Sequence, residues 1–247
     1  MSRRRKRKKT VLRTDTAQPA ARVSFAAPVV FAIASLLFTL LVKIVDVDTA
    51  GPSGTKIGLS RLNVFFHEMT GEHLFLYRVS QITGALALLV AFLFAAYGTM
   101  QLIRRKNLFR VDPRIRTLGA VYLLTVLLYL FFEIIVINYR PVIMPGDSVP
   151  EPSYPSSHTM LACVVFLTAA PACKNLFRHL RLRVAPVRYA GILLAALTVF
   201  CRLFSGVHWL TDIIGGSFFS AFLISLYSRI LYFVAGKKNI ASNVRFR

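Results

Sequence analysis

The chain has 247 residues, of which 55% are hydrophobic, and its formal net charge is +21. A mean hydropathy of +0.59 is too high for an ordinary soluble domain and is typical of a protein that crosses a membrane several times. Because a strong positive charge suits either a membrane surface or a nucleic acid, its distribution along the chain decides between them.

The long apolar runs predict transmembrane helices. Four runs of 20 to 22 residues are long enough to cross ~30 Å of hydrocarbon: Phe25–Val45, Ile82–Ile103, Leu118–Ile137 and Ile213–Val234. Two shorter runs span only if their polar outer ends are included: Met160–Cys173 and Tyr189–Phe204. We therefore predict an all-α, polytopic membrane protein with six transmembrane helices.

The basic residues are concentrated on one side of this six-helix topology. Of the 31 Lys and Arg, 25 fall in four segments: 1–22, 104–116, 174–188 and 229–247. The positive-inside rule then places these segments and both termini in the cytoplasm. We expect the basic segments to contact anionic lipid headgroups. A nucleic-acid partner is not expected, because neither interleaved aromatic residues nor a recognisable binding module accompanies the charge.

The predicted topology divides the chain into three parts. A basic cytoplasmic tail covers 1–22, the six-helix membrane domain covers 23–236, and a second basic tail covers 237–247. Within the domain, 46–81 is predicted to be an outer loop with an amphipathic helix, whose apolar side in "RLNVFF…LFLY" can lie on the membrane. His67 and His73 in this loop are six residues apart, whereas the metal-binding H-E-x-x-H arrangement needs a spacing of four. We predict no metal site there.

Three clusters of polar residues are predicted to meet at the outer ends of the helices. They are "YRP" at 139–141, "SYPSSHTM" at 153–160 and "CRLFSGVHWLTD" at 201–212. Hydroxyl groups are common caps of a helix N-terminus. Helix capping does not account for two arginines and two histidines at the same level of the predicted outer membrane face.

These residue types indicate a site for a phosphoryl group. The guanidinium forks of Arg140 and Arg202 match phosphate oxygens, and the first amides of the fourth predicted helix favour an anion. His208 and Asp212 share a helix face, so Asp212 can accept from one ring nitrogen and leave the other free as a nucleophile. His158 remains as a general acid. No metal-ligand spacing occurs in the cluster, so neither a metal nor another cofactor is expected.

The three clusters resemble the signature of the type 2 phosphatidic acid phosphatase superfamily, which reads K-x6-R-P, P-S-G-H and S-R-x5-H-x3-D. Order and spacing are kept here as E-x6-R-P (Glu133 to Pro141), P-S-S-H (Pro155 to His158) and C-R-x5-H-x3-D (Cys201 to Asp212). The motifs cover 133–212, and the family's integral-membrane members share six helices with the site on the outer face.

The resemblance implies a role for each matching residue. His208 would form a phosphohistidine, Asp212 would orient it, and His158 would protonate the leaving group. No metal would be required. The phosphate oxygens would be held by four groups: Arg140, Arg202, the Ser156 side chain and the Ser157 amide.

Glu133 departs most from the signature, because it reverses the charge of the lysine. Three interpretations stay open. Glu133 can be a structural partner of Arg140, which lies on nearly the same face if one helix contains both residues. It can contact a cationic or hydroxyl part of the substrate, or it can be protonated and silent.

Four further positions carry smaller expectations. Ser157 in place of glycine matters only if the backbone there needs a positive φ, and Cys201 in place of serine is a small exchange. Glu151 is predicted to be solvated, with tuning of His158 as an alternative, and Trp209 is predicted to anchor at the membrane interface rather than to stack against the substrate.

The sequence thus predicts a metal-independent lipid phosphatase of the cell membrane, acting at the outer leaflet on a lipid phosphate monoester or diphosphate. Phosphatidate, phosphatidylglycerophosphate and a polyprenyl diphosphate are candidate substrates, among which the sequence does not choose. One alternative is a phosphotransferase that passes the phosphoryl group to an acceptor other than water. The other is a catalytically silent member of the fold that binds or transports a lipid.

Overall fold

The computed structural model describes residues 24–144, 146–176 and 184–244, without the side chains of 174–176 and 235–244. The predicted tail at 1–22 and the middle of the basic loop, 177–183, lie outside this part. The described residues form seven α-helices and no β-strand: α1 (Ala26–Ile44), α2 (Ser60–Thr70), α3 (Leu74–Arg105), α4 (Pro113–Ile134), α5 (Ser157–Leu176), α6 (Val184–Phe204) and α7 (Leu210–Val244).

Most helix ends differ from the apolar runs by a few residues, and three of the differences change the predicted topology or site. α3 begins at Leu74, well before the predicted start at Ile82, because neither glycine nor proline interrupts the intervening residues. α7 continues to Val244, so much of the segment predicted as a tail at 237–247 is helical. α4 ends at Ile134 rather than Ile137, where a run of β-branched residues favours extended backbone.

The outer surface of the bundle is apolar. Large apolar side chains on α1 are more than half exposed, among them Val30, Leu36 and Leu37. Such a surface is costly in water and suited to lipid. Five described helices are long and apolar enough to cross a membrane: α1, α3, α4, α6 and the Leu210–Val234 part of α7. The protein is a multi-pass membrane protein.

α5 is the central helix of the bundle. It packs against α3, α4, α6 and α7, and residues such as Ala162, Val164 and Thr168 are fully buried. Because its neighbours are helices rather than lipid, small and hydroxyl side chains are useful for close packing. This position accounts for the small and hydroxyl side chains in the apolar part of α5, Ser157–Cys173.

α2 lies across one end of the bundle. Leu62, Phe65 and Met69 are exposed along one side, while the other side packs through Phe66 against Phe204. The amphipathic helix of the first loop is therefore present but shorter than predicted. The "LFLY" segment belongs to the first turn of α3 instead.

The loop between α4 and α5 folds back on itself at the same end. Tyr139 and Pro152 form an isolated antiparallel bridge. The amide of Arg140 donates to the Glu151 carbonyl at 2.9 Å. This pairing holds both flanks of the loop beside the first turn of α5.

Candidate active site

A cavity of about 620 Å³ lies between α3, α4 and α5, at the end of the bundle covered by α2. One part of its wall is polar and includes Gln81, Glu133, Arg140, Glu151, His158 and His208. The other part is apolar and is formed by Ala85, Leu88, Val126 and Leu161. The structure thus brings residues of all three sequence clusters to one cavity with an apolar extension.

His208 stands in the turn between α6 and α7 and is almost fully buried, with 5% of its surface exposed. Its Nδ1 lies 3.4 Å from Oδ2 of Asp212, which is in the first turn of α7. The two carboxylate oxygens of Asp212 also accept from the Trp209 amide at 3.0 Å and from Nδ2 of Asn138 at 3.2 Å. The carboxylate is therefore fixed on one side of the imidazole, and Nε2 is the nitrogen that remains free.

The surroundings of His208 favour a neutral ring. Burial, together with the positive charges of Arg202 and Arg140, lowers the pKa of His208 well below its usual value. At neutral pH the ring therefore holds a single proton. A neutral imidazole with Nδ1 facing a carboxylate has a lone pair on Nε2, as a nucleophile requires.

Arg202 lies on α6 with no exposed surface. Its Nη2 donates to Oε1 of Gln81 at 3.2 Å, and its guanidinium lies 5.3 Å from the centre of the Tyr77 ring. Nε and Nη1 of Arg202 are buried and have no hydrogen-bond partner among the described residues. Since buried donors are nearly always satisfied, this cationic group is suited to an anionic ligand.

Arg140 pairs with Glu151 and not with Glu133 in the described structure. Its Nη2 lies 3.0 Å from Oε2 of Glu151, whose side chain is 48% exposed, so Glu151 is solvated as expected and also forms an ion pair that was not predicted. Because α4 ends at Ile134, Arg140 is in the loop, and the argument that one helical face carries both Glu133 and Arg140 fails. Glu133 is exposed and lines the cavity instead.

The start of α5 presents one serine to the cavity and uses the other as a cap. Ser157 and His158 line the cavity. Ser156 is fully buried, and its Oγ accepts from the Thr159 amide at 3.4 Å as a helix cap. Its own amide donates to the Asp212 carbonyl at 3.0 Å. Ser157 has no positive φ, so glycine is not needed at that position.

A buried network of side-chain amides holds the site together. Asn138 donates through Nδ2 to Thr211 and Asp212, and its Oδ1 accepts from the Gly58 amide at 3.0 Å. Asn63 on α2 donates through Nδ2 to the Gly58 carbonyl and to Thr211 at 2.9 Å. Two loops and α2 are thereby tied to the first turn of α7, and Asp212 is oriented from behind.

Trp209 belongs to the same framework. It is 3% exposed, and its Nε1 donates to the Tyr139 carbonyl at 2.6 Å. Its ring stands edge-on to that of His67, with centroids 5.5 Å apart. The expectation that Trp209 anchors at the membrane interface is therefore wrong, because it lies inside the protein and fixes the loop that carries Arg140.

Comparison with known proteins agrees with this geometry. Residues 114–234 match the model of the PAP2 superfamily, and this range contains Arg140, His158, Arg202, His208 and Asp212. The polar clusters of the site therefore lie in the part of the chain that is similar to the PAP2 superfamily.

A solved PAP2 structure shares the fold. The first transmembrane PAP2-type phosphatidylglycerolphosphate phosphatase from Bacillus subtilis superposes with a TM-score of 0.54 at 19% identity, over 82% of this chain and 94% of that one. A search of curated protein sequences gives no significant match. Since the superposition extends well beyond the matched 114–234, the helices that precede the PAP2 motifs are part of the shared architecture.

Three residues that support this site were missed by sequence reasoning. Asn138 stands two residues before Arg140, and Asn63 lies far away in the first loop; a buried asparagine has no spacing that identifies it. Gly84 on α3 is the third. A Cβ built on it would lie 2.7 Å from Cδ2 of His158, so the missing side chain makes room for the imidazole.

No described group of three or more His, Cys, Asp or Glu side chains is arranged to hold a metal ion. The two histidines of the predicted outer loop have separate contacts. The His67 ring stands edge-on to Trp209, and Nε2 of His73 is 2.9 Å from the Thr70 carbonyl. Metal-independent activity stays a prediction, which the assay described below tests with a chelator.

Gly84→Ala should reduce activity because its methyl group must displace His158. A shift of about 1 Å in a reacting group can cost roughly 10²-fold in rate, so we expect kcat to fall by about that factor with little loss of stability. The measurement is steady-state phosphate release by purified variants. Gly119→Ala on α4 is the matched control, because a Cβ there meets no atom within 4 Å. Equal activity of both variants would show that the position of His158 is not critical.

Proposed function

We propose that this protein is a membrane phosphatase that hydrolyses a lipid phosphate monoester or diphosphate through a phosphohistidine on His208. One observation carries the proposal: a buried, neutral His208, whose Nδ1 lies beside the Asp212 carboxylate, lines the same cavity as Arg140 and His158. A protein that only binds or carries a lipid has no need of a nucleophile oriented by a buried carboxylate.

The proposed reaction has two steps. Nε2 of His208 attacks phosphorus, a P–N bond forms, and the bond to the leaving oxygen breaks as His158 donates a proton to that oxygen. Asp212 stabilises the positive charge that develops on the His208 ring. Water then attacks phosphorus, His158 takes up its proton, and the P–N bond breaks to release inorganic phosphate and regenerate neutral His208.

The charge on the phosphoryl oxygens is proposed to be held by Arg140, Arg202 and the amides of the first turn of α5. First-turn amides have no intrahelical acceptor and favour an anion. Ser156 is among the substrate-binding residues that the resemblance implies, and its cap of α5 supports a role in presenting the Ser157 amide. Fixed donors of this kind are the largest single contribution in many phosphoryl and acyl transfers.

A lipid substrate is supported by the shape of the cavity. Leu88, Val126 and Tyr129 line it and are also exposed on the outer surface of the bundle. The cavity thus reaches the seam between α3 and α4, where an acyl or prenyl chain can remain in the membrane while its phosphate enters. This fits a cell-membrane topology of six spans, with α5 as the buried sixth, both termini cytoplasmic and the site at the outer leaflet.

Glu133 is proposed to contact a hydroxyl or cationic group of the substrate beside the phosphate. The carboxylate is exposed at the cavity wall and has no ion-pair partner among the described residues. Glu133→Lys should therefore lower kcat/KM by about tenfold for substrates with a hydroxyl or amine headgroup, the value of one hydrogen bond to a charged group. For phosphatidate, which lacks such a group, kcat/KM should rise.

Glu133→Gln is the matched control, because it keeps hydrogen-bonding capacity and removes only the charge. It should retain most activity on hydroxyl-bearing headgroups and lose activity on aminated ones. The measurement is kcat/KM for each variant on phosphatidate and on lipids with each headgroup. An unchanged substrate profile in Glu133→Lys would exclude a role in substrate contact.

The proposed function is tested by phosphate release from a panel of lipid phosphates and diphosphates by the purified full-length protein in detergent, measured with and without a chelator. We expect activity on at least one lipid and none on water-soluble phosphates of similar headgroup. Release that stops when chelator is added would contradict metal independence. A phosphorylated acceptor in place of free phosphate would identify a phosphotransferase, and inactivity on every lipid would favour a binding protein.

A further inference from the structure

A second cavity, of about 510 Å³, lies in the seam between α3 and α4 at the end opposite the candidate active site. Its wall is formed by the second half of α3 and the first half of α4, and it is mostly apolar: Phe94, Leu102, Leu108, Ile115, Leu118 and Leu123. Leu102, Leu108 and Leu123 are also exposed on the bundle surface. The cavity is therefore open toward the hydrocarbon of the membrane.

Arg116 is the charged side chain of this cavity. Its guanidinium lies 5.7 Å from the centre of the Phe109 ring, and its Nε is buried without a hydrogen-bond partner in the described part of the chain. An arginine beside an apolar cavity can bind the phosphate of a lipid through its guanidinium group while the acyl chain of the same lipid enters the cavity.

The segment around the cavity mouth is strongly basic. Residues 104–116 contain six Lys or Arg and a single acid, Asp112. Asp112 is occupied as the cap of α4, where its Oδ1 accepts from the Arg114 amide at 2.9 Å. The exposed cations Arg104, Arg105, Lys106 and Arg110 surround the same end of the seam. Charge complementarity therefore selects an anionic occupant over a neutral one.

The cavity is open beside an exposed glycine. Gly119 lines it, and a Cβ at that position meets no atom within 4 Å. On the opposite wall, a Cβ at Gly98 would lie 2.9 Å from Cγ2 of Ile115, so α3 and α4 approach closely there. A chain of methylene groups can lie in the open part of the cavity at Gly119, against its apolar wall.

We propose that this cavity is a binding site for an anionic phospholipid, whose phosphate is held by Arg116 and whose acyl chain lies against Gly119. The site is separate from the catalytic cavity and does not depend on phosphatase activity. It takes a lipid from the leaflet on the side of the basic segments.

The test is native mass spectrometry of delipidated, full-length protein in detergent, titrated with dioleoyl phosphatidylglycerol or dioleoyl phosphatidylcholine. The wild type should bind the first phosphatidylglycerol at least about fivefold more tightly than phosphatidylcholine. Arg116→Gln and Gly119→Leu should each weaken phosphatidylglycerol binding by about fivefold or more, the first by removing the cation and the second by filling the cavity. Arg116→Lys should recover part of the affinity.

Two controls separate this site from other sources of binding. Arg104→Gln makes the same charge change on a residue that does not line the cavity and should bind like the wild type. His208→Ala should also bind like the wild type, because the lipid does not enter the catalytic cavity. Circular dichroism and gel filtration of each variant check that the fold is intact.

Several results would overturn the proposal. If Arg116→Gln and Gly119→Leu both bind phosphatidylglycerol as tightly as the wild type, the cavity is not the site. Equal weakening by Arg104→Gln would indicate non-specific attraction, and loss of binding in His208→Ala would assign the lipid to the catalytic cavity. If glycerol phosphate displaces phosphatidylglycerol as effectively as the lipid itself, the site binds an anion and no acyl chain. If gel filtration shows a dimer that Gly119→Leu abolishes, the cavity is occupied by a second copy of the protein.

Discussion

Replacement of His208 by alanine should abolish lipid phosphate hydrolysis, with kcat reduced by at least about 10⁴-fold, as for the loss of other covalent nucleophiles. The physical reason is that no other described side chain in the cavity combines a neutral nitrogen nucleophile with a buried carboxylate partner. The measurement is phosphate release from the best substrate of the lipid panel, with enough enzyme to detect a residual rate.

The matched control for this variant is His73→Ala. His73 is exposed at the same end of the bundle, and its ring contacts the Thr70 carbonyl rather than the cavity. Its backbone amide, which donates to the Ser205 carbonyl at 3.1 Å, is unchanged by the substitution. If His73→Ala releases phosphate at nearly the wild-type rate and His208→Ala does not, the loss of activity is due to removal of the nucleophile. Comparable rates in the two variants would exclude His208 from the chemistry.

Replacement of Arg202 should produce the second largest effect. Arg202→Leu should lower kcat/KM by about 10²–10³-fold, the usual cost of removing one fixed donor from a developing negative charge. Arg202→Lys keeps the positive charge but loses the planar guanidinium group, so its kcat/KM should lie between those of Arg202→Leu and the wild type. Because Arg202 is fully buried with two unpartnered nitrogens, Arg202→Leu removes a costly buried charge and should not lower the thermal stability of the protein.

Arg61→Lys is the control for the arginine series. Its side chain is 94% exposed and pairs with Asp46 at 3.6 Å, a surface contact of small energetic value. Kinetic constants and unfolding temperatures of the three variants are compared with those of the wild type. Wild-type kcat/KM in both Arg202 variants would remove Arg202 from the proposed site, whatever their stability.

Much of the fold could be predicted because lipid imposes a simple rule on the outward-facing helices. α1, α3, α4, α6 and α7 all present apolar surface to the membrane and stand out in the sequence. α5 is less obvious because it faces other helices, and packing there rewards Ala and Thr rather than the longest apolar side chains. The ends of the helices depend on local backbone preferences and not on hydropathy. At Ile134 the helix ends, but the apolar β-branched residues that follow it keep the hydropathy high.

The charged and reactive residues of the candidate site could be predicted from the sequence, whereas the residues that position them could not. Arginine and histidine near the ends of apolar helices are rare enough to be noticed, and their spacing is that of the PAP2 signature. The partners that position them, such as Asn138 behind Asp212 and Gly84 beneath His158, are ordinary residues whose importance depends on contacts between distant segments. The pairing of Arg140 with Glu151 was missed for the same reason, because it depends on how the loop folds back.

The most direct test of the proposed mechanism is to trap the covalent intermediate. Full-length protein is mixed with a lipid phosphate labelled on the transferred phosphoryl group, quenched within milliseconds in alkaline detergent, and digested for peptide mapping. We predict a label that is stable to base, labile to acid, located on His208 and absent from His208→Ala. Labelled inorganic phosphate released at the wild-type rate with no covalent label at any quench time, or a label on another residue, would contradict the account.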